Sequence, residues 1–175
     1  MVHIYIGKGK GKTTAALGLA LRAWGFGKKV YVGEFLKDVY WPSGELMAAR
    51  KIGHSNFVIE RFRGQVHPMF VNKPDIKSLK RSLKESLSRM REFIDKSRFD
   101  VVVLDELLNC VESHLVTALE VKKIIEKAKA KKVELILTGR DASSLLKRAA
   151  DYVSLIEEIK HPYQKGVMAR EGIDY

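Results

Sequence analysis

GKGKGKTT, Gly7 to Thr14, decides how this chain is read. It lies between a short apolar run, His3 to Ile6, and a helix-forming run that begins at Lys12. Glycines at 7, 9 and 11 let the backbone take positive φ and approach a ligand closely, so successive N–H groups can converge on one set of phosphate oxygens. A helix starting behind them adds the positive end of its dipole, and Lys12 adds a point charge for the outer phosphates. Thr13 places a hydroxyl where it can reach a Mg²⁺ held by the same phosphates. Gly7, Lys8, Gly9, Lys10, Gly11, Lys12, Thr13 and Thr14 therefore form the candidate nucleotide cradle, with Lys12 and Thr13 as candidate catalytic groups. A common phosphate-binding loop has a further glycine at the position held here by Ile6, so this loop is one residue short and can hold a triphosphate in a different register. Register decides which atom of ATP is presented for attack.

The 175 residues suit one domain, 1–175, with 160–175 as a tail docked on it. Hydrophobic residues make up 46% and charged residues 30%, and no apolar run has the length of a membrane span. The single cysteine, Cys110, excludes an internal disulfide and, with no leader ahead of the first strand, sets the expectation of a cytoplasmic protein. The net charge of +11 fits a nucleic-acid surface, a site for a polyanion such as triphosphate, or merely solvated lysine-rich faces.

Beyond the loop, the pattern alternates strand and helix. Lys12 to Trp24 reads as a helix with Ala15, Leu17, Leu19, Ala20 and Leu21 inward, and Val30 to Leu36 as the next strand. GELMAARKI after Ser43 is helical, Phe57 to Phe62 a strand, and Arg63 to Pro74 an irregular loop. Ile76, Leu79, Leu83, Leu87, Met90 and Ile94 recur at helical spacing within Asp75 to Lys96, with Lys77, Lys80, Arg81, Lys84, Arg91 and Lys96 opposite. Val116 to Ala130 is helical, Val133 to Leu137 a strand, Ala142 to Ala149 a helix and Tyr152 to Ile159 the last strand. This alternation predicts a three-layer α/β protein, P-loop NTPase-like (RecA-like), with a mainly parallel sheet of about six strands.

FDVVVLDE, Phe99 to Glu106, is a buried strand ending in two carboxylates. In a doubly wound sheet that end faces the ligand, so Asp105 and Glu106 are candidate Mg²⁺ ligands, with Glu106 also a candidate catalytic group. TGR, Thr138 to Arg140, follows a strand in the same way and can bring the planar fork of Arg140 to phosphate; the alternative is a helix start capped by Asp141. The histidines show no metal-ligand spacing, and no Ser-His-Asp or Cys-His arrangement is present.

GKGKGKTTAALGLALRAWGFGKKV (7–30), FLK (35–37), WPSGE (41–45), VVVLDEL (101–107), LTGR (137–140) and IKHPYQKGVMAREGIDY (159–175) together resemble the P-loop corrinoid adenosyltransferases of the CobA/BtuR/CobO type. The short loop and the GIDY ending carry the resemblance furthest. It implies transfer of the 5′-deoxyadenosyl group of ATP to cobalt(I) of a corrinoid, with release of triphosphate, in adenosylcobalamin synthesis or salvage. It also implies triphosphate binding by Gly7 to Thr13, and Mg²⁺ (or Mn²⁺) held by Thr13 and Glu106 with Asp105 in support. Lys10 and Arg140 would add phosphate contacts, and Phe62 and the tail would face the corrin. A flavin-type reductant protein and a homodimer are the implied protein partners; membrane and nucleic acid are not.

Two features depart from the family's pattern. Many members carry an arm before the first strand that covers the site, whereas only Met1 and Val2 stand there in this sequence, so a different lid closure is expected. The family's GFTW after the strand near residue 62 reads Arg61-Phe62-Arg63-Gly64 here, with Gly64 at the tryptophan position. Different cobalt reduction or corrinoid preference is the expectation. The residues alone also fit a P-loop ATPase or phosphotransferase attacked at the γ-phosphate, or a RecA-like nucleic-acid-binding ATPase.

Overall fold

Alternation along the central strands sorts side chains into two apolar layers. In β4 (Val101–Asp105), Val101 and Val103 join one core cluster while Val102 and Leu104 join the other. In β5 (Glu134–Thr138), Ile136 faces the first layer and Leu135 and Leu137 the second. The computed structural model describes residues 1–53 and 55–174.

The remaining strands are β1 (Val2–Ile6), β2 (Val30–Glu34), β3 (Phe57–Arg61) and β6 (Tyr152–Leu155). They form one six-stranded sheet in the order β3-β2-β4-β5-β1-β6, with every pairing parallel. The first layer is covered by α1 (Lys12–Gly25) and α2 (Gly44–Ile52). The second is covered by α3 (Ile76–Asp95), the short α4 (Leu107–Glu112), α5 (Ala118–Ala130) and α6 (Ser144–Ala149). This is a P-loop NTPase-like α/β fold. Because all strands run the same way, the loops after β1, β2, β4 and β5 open at one edge. Among the described residues no helix is long and apolar enough to cross a membrane.

The elements differ from expectation mostly in phase and length. On α1 the buried residues are Ala16 and Ala20, one turn apart, while Ala15 and Leu21 are exposed. Two alanines let α1 lie close against the sheet, which seats its N-terminus over the ends of the strands. Ile76 is likewise more exposed than the rest of the α3 stripe. β6 stops at Leu155 and does not continue to Ile159, because Ile156 turns its carbonyl to the amide of Gly9 at 2.9 Å. α6 has Ser143 at its N-cap position, two residues later than expected and without a side-chain capping bond, and Asp141 accepts instead from the Ala142 amide at 2.7 Å.

Candidate active site

The glycine loop leaves β1 with Gly7 at φ 123 and enters α1 with Gly11 at φ 119, a backbone region closed to most side chains. Gly7 and Gly9 have a second reason to lack side chains. A Cβ on Gly7 would come within 2.1 Å of the Ile156 carbonyl oxygen, and one on Gly9 within 2.6 Å of the Glu157 carbonyl oxygen. The loop rests on the backbone that follows β6, and Gly7 and Gly9 donate to the carbonyls of Arg140 and Ile156, each at 2.9 Å. Ala15 makes the first intrahelical bond, to Gly11, so the amides of Lys12 to Thr14 belong to the open first turn. Lys12 folds back, its Nζ donating to the Gly9 carbonyl at 2.7 Å. Its ammonium is pushed below the usual lysine range by burial, opposed by the charge of Glu106 and assisted by that of Arg140. The loop lysine therefore feels the charges of the acidic pair and of Arg140, which is itself exposed. Lys8 and Thr14 are exposed on the loop and first turn.

Thr13 faces the acidic pair. Its hydroxyl donates to Asp105 Oδ1 at 3.0 Å, and the Thr138 hydroxyl donates to the same oxygen at 2.7 Å. Since β5 lies between β1 and β4, Thr138 at its tip stands between the loop and Asp105. Thr138 also accepts the Glu106 amide at 2.8 Å. Glu106 sits at φ 62, a left-handed conformation costly to a non-glycine residue, and starts α4. Asn109 fixes the Glu106 carboxylate at 2.9 Å and accepts the Arg140 amide at 2.8 Å. The close packing of TGR on α4 explains Gly139, whose Cβ would lie 2.5 Å from Leu108 Cβ.

Four participants are not readable from the motifs alone. The Lys37 ammonium donates to Asp105 Oδ2 at 2.8 Å and Glu34 Oε1 at 2.9 Å. Arg61 Nε donates to the other Glu34 oxygen at 2.6 Å, and Glu45 stands 3.6 Å from Arg61 and 3.9 Å from Lys37. Leu36, at φ 55, turns the chain after β2 between Glu34 and Lys37. Burial would depress the Lys37 ammonium, but the Asp105 and Glu34 carboxylates outweigh it and hold it above the ordinary lysine range. FLK and WPSGE were visible as motifs; their pairing depends on β2 lying beside β4.

Among the described residues no group of three or more His, Cys, Asp or Glu side chains could hold a metal unaided. The Thr13 hydroxyl meets Asp105, whose charge the Glu106 carboxylate feels, and all three offer hard oxygens. They fit a Mg²⁺ that brings triphosphate and water oxygens with it.

Lys10 points away from this acidic group. Its Nζ donates to the Ile173 carbonyl at 2.9 Å and pairs with Asp174, bringing the end of the tail to the loop. Tyr175 lies outside the described residues. Phe62, expected on the corrin side, is 8% exposed and packs on Phe35 with ring centroids 5.1 Å apart. The exposed aromatics on the adjoining loops are Tyr40, Trp41 and Phe70.

A glycine-rich turn after β1, Lys-Thr at the head of the following helix, and an acidic strand end two strands away are the arrangement of a P-loop NTPase-like fold. Residues 1–175 match the family model described as ATP:corrinoid adenosyltransferase BtuR/CobO/CobP, and the chain belongs to that enzyme family. It is 32% identical over 175 residues to the corrinoid adenosyltransferase of Escherichia coli (strain K12), covering 100% of this chain and 85% of that one. The corrinoid adenosyltransferase CobA of Salmonella typhimurium is 33% identical over 180 residues, with the same coverage of 100% and 85%. That of Pseudomonas aeruginosa is 27% identical over 176 residues, covering 98% and 82%.

Proposed function

We propose that this chain transfers the 5′-deoxyadenosyl group of ATP to cobalt(I) of a corrinoid and releases triphosphate. The observation that carries the reading is the contact of Thr13 with Asp105 beside the Lys12 cradle, within a chain that matches the family along its whole length. Cobalt(I) donates an electron pair to C5′, the bond from C5′ to the triphosphate oxygen breaks, and that oxygen leaves with its pair. No protein base is needed, because no proton moves. What the protein supplies is position and compensation of charge.

Gly7 to Thr14 would hold the triphosphate, with Lys12 and Arg140 on its outer oxygens and Lys10 available once it leaves Asp174. Thr13, Asp105 and Glu106 would hold Mg²⁺ or Mn²⁺, which neutralises charge building on the leaving group. The tail and the loop after Phe62 would lie toward the corrin. We place the reaction in the cytoplasm, in a homodimer of single-domain subunits, with cobalt reduced by a flavin-type protein.

Incubation with ATP, Mg²⁺ and a reduced corrinoid tests the reading. Triphosphate and a light-sensitive adenosylated corrinoid should appear in equal amounts; ADP and phosphate without triphosphate would overturn it in favour of attack at the γ-phosphate.

A further inference from the structure

Glu34, Asp105 and Lys37 form a buried group directly behind the Thr13 hydroxyl. The side chains of Glu34 and Asp105 are 0% and 1% exposed, yet Lys37 lies between them and bonds to both. Two buried carboxylates this close are stable only when compensated, and they also make an attractive seat for any divalent cation. With Glu45 and Arg61 included, three carboxylates face two cations, so the cluster holds one negative charge in excess. Without Lys37 it would hold two, facing the side from which metal must arrive.

The two oxygens of Asp105 carry different closest partners. Oδ1 accepts from Thr138 at 2.7 Å and Thr13 at 3.0 Å, while Oδ2 accepts from Lys37 at 2.8 Å and shares the Thr13 hydroxyl at 3.2 Å. The ammonium therefore holds Oδ2 from the Glu34 side, and fills the position where a bare cation would otherwise bridge Asp105 and Glu34. Resting on the nucleotide-site reading above, we propose that Lys37 is a resident counter-ion that keeps free divalent cations out of the Asp105–Glu34 pair, so that metal enters only together with a triphosphate. Lys37 is a positioning residue in this role: it acts through Asp105. A metal chelated by triphosphate needs only one or two protein oxygens, which Thr13 and Oδ1 can supply with Lys37 in place.

The test uses Mn²⁺ alone, without nucleotide, titrated into the full chain and followed by the electron paramagnetic resonance of free Mn²⁺. Lys37→Met should bind Mn²⁺ at least about tenfold more tightly than wild type, because a unit positive charge has left a low-dielectric site. Lys37→Arg should behave as wild type, and adding Asp105→Asn to Lys37→Met should abolish the gain. Lys37→Gln, which retains a donor for Asp105 without the charge, repeats the comparison if the methionine variant does not fold. Equal Mn²⁺ affinity in wild type and the uncharged variants overturns the proposal. So does wild-type Mn²⁺ binding that is already tight and lost in Asp105→Asn. Binding of a fluorescent ATP analogue to wild type is measured separately: its absence would remove the nucleotide-site reading, whereas the Mn²⁺ comparison reports on Lys37 alone.

Discussion

The Thr13 hydroxyl lies 3.0 Å from Asp105 Oδ1, although 92 positions separate them in the chain. The contact ties the head of α1 to the tip of β4. Thr13→Ala should lower stability by about 1 kcal/mol through the lost hydrogen bond and raise the Mg²⁺ concentration needed for turnover. Thr13→Ser should restore both. Chemical denaturation and a Mg²⁺ titration of activity separate the two effects; an alanine variant with an unchanged Mg²⁺ requirement would move the metal away from this hydroxyl.

Lys12 has little structural work to do. Its ammonium bonds to one loop carbonyl, that of Gly9, and the surrounding charges of Glu106, Arg140 and Asp105 indicate where it acts. Lys12→Ala should leave the melting temperature nearly unchanged and reduce kcat by a factor of about 100 or more, as expected when a donor to developing charge is removed. Activity close to wild type would mean that ATP binds elsewhere.

Glu106 gives a pH signature. Burial first, then the Asp105 carboxylate, push its carboxyl above the ordinary range, against the pull of Lys37, Asn109 and Lys12. Between the unfolded and folded values the folded state binds more protons, so the group's stabilising contribution is present at low pH and lost as pH rises through the folded value. Nucleotide-free Glu106→Gln should therefore be more stable than wild type at neutral pH, with the gap closing as pH falls through the raised folded value and gone below the unfolded value of about 4.3. Parallel stability curves for the two proteins would contradict this.

Gly9→Ala probes packing separately from ligand binding. The added methyl would meet the Glu157 carbonyl oxygen at 2.6 Å and the Ile156 carbonyl oxygen at 2.9 Å, both backbone atoms. A loss of about 1–3 kcal/mol is expected even without ATP, measured by denaturant unfolding. An unchanged midpoint would show that the loop shifts freely off the segment after β6.

Periodicity made the layers and most strands legible, because each strand of this sheet is a short apolar run between helices. Gly7 to Thr14 and Asp105-Glu106 were legible because their chemistry is local to the motif. Lys37, Glu34 and Arg61 were not, since their meeting requires β2 to lie between β3 and β4, and strand order leaves no local trace. Leu21 and Ala16 exchanged places for a related reason: a run apolar on all sides does not reveal which face touches the sheet. Phe62 matched a motif in sequence, but packing against Phe35 drew its ring inward.

The placement of β1 has a temporal consequence. Val2–Ile6 is made well before its sheet neighbours Glu134–Thr138 and Tyr152–Leu155. The glycine loop leans on the Arg140 and Ile156 carbonyls, so a nascent chain lacking that later stretch has no floor under its cradle. Such parallel, non-local pairing is slow to form. The loop can therefore take its final shape only after the stretch through Ile156 has been made.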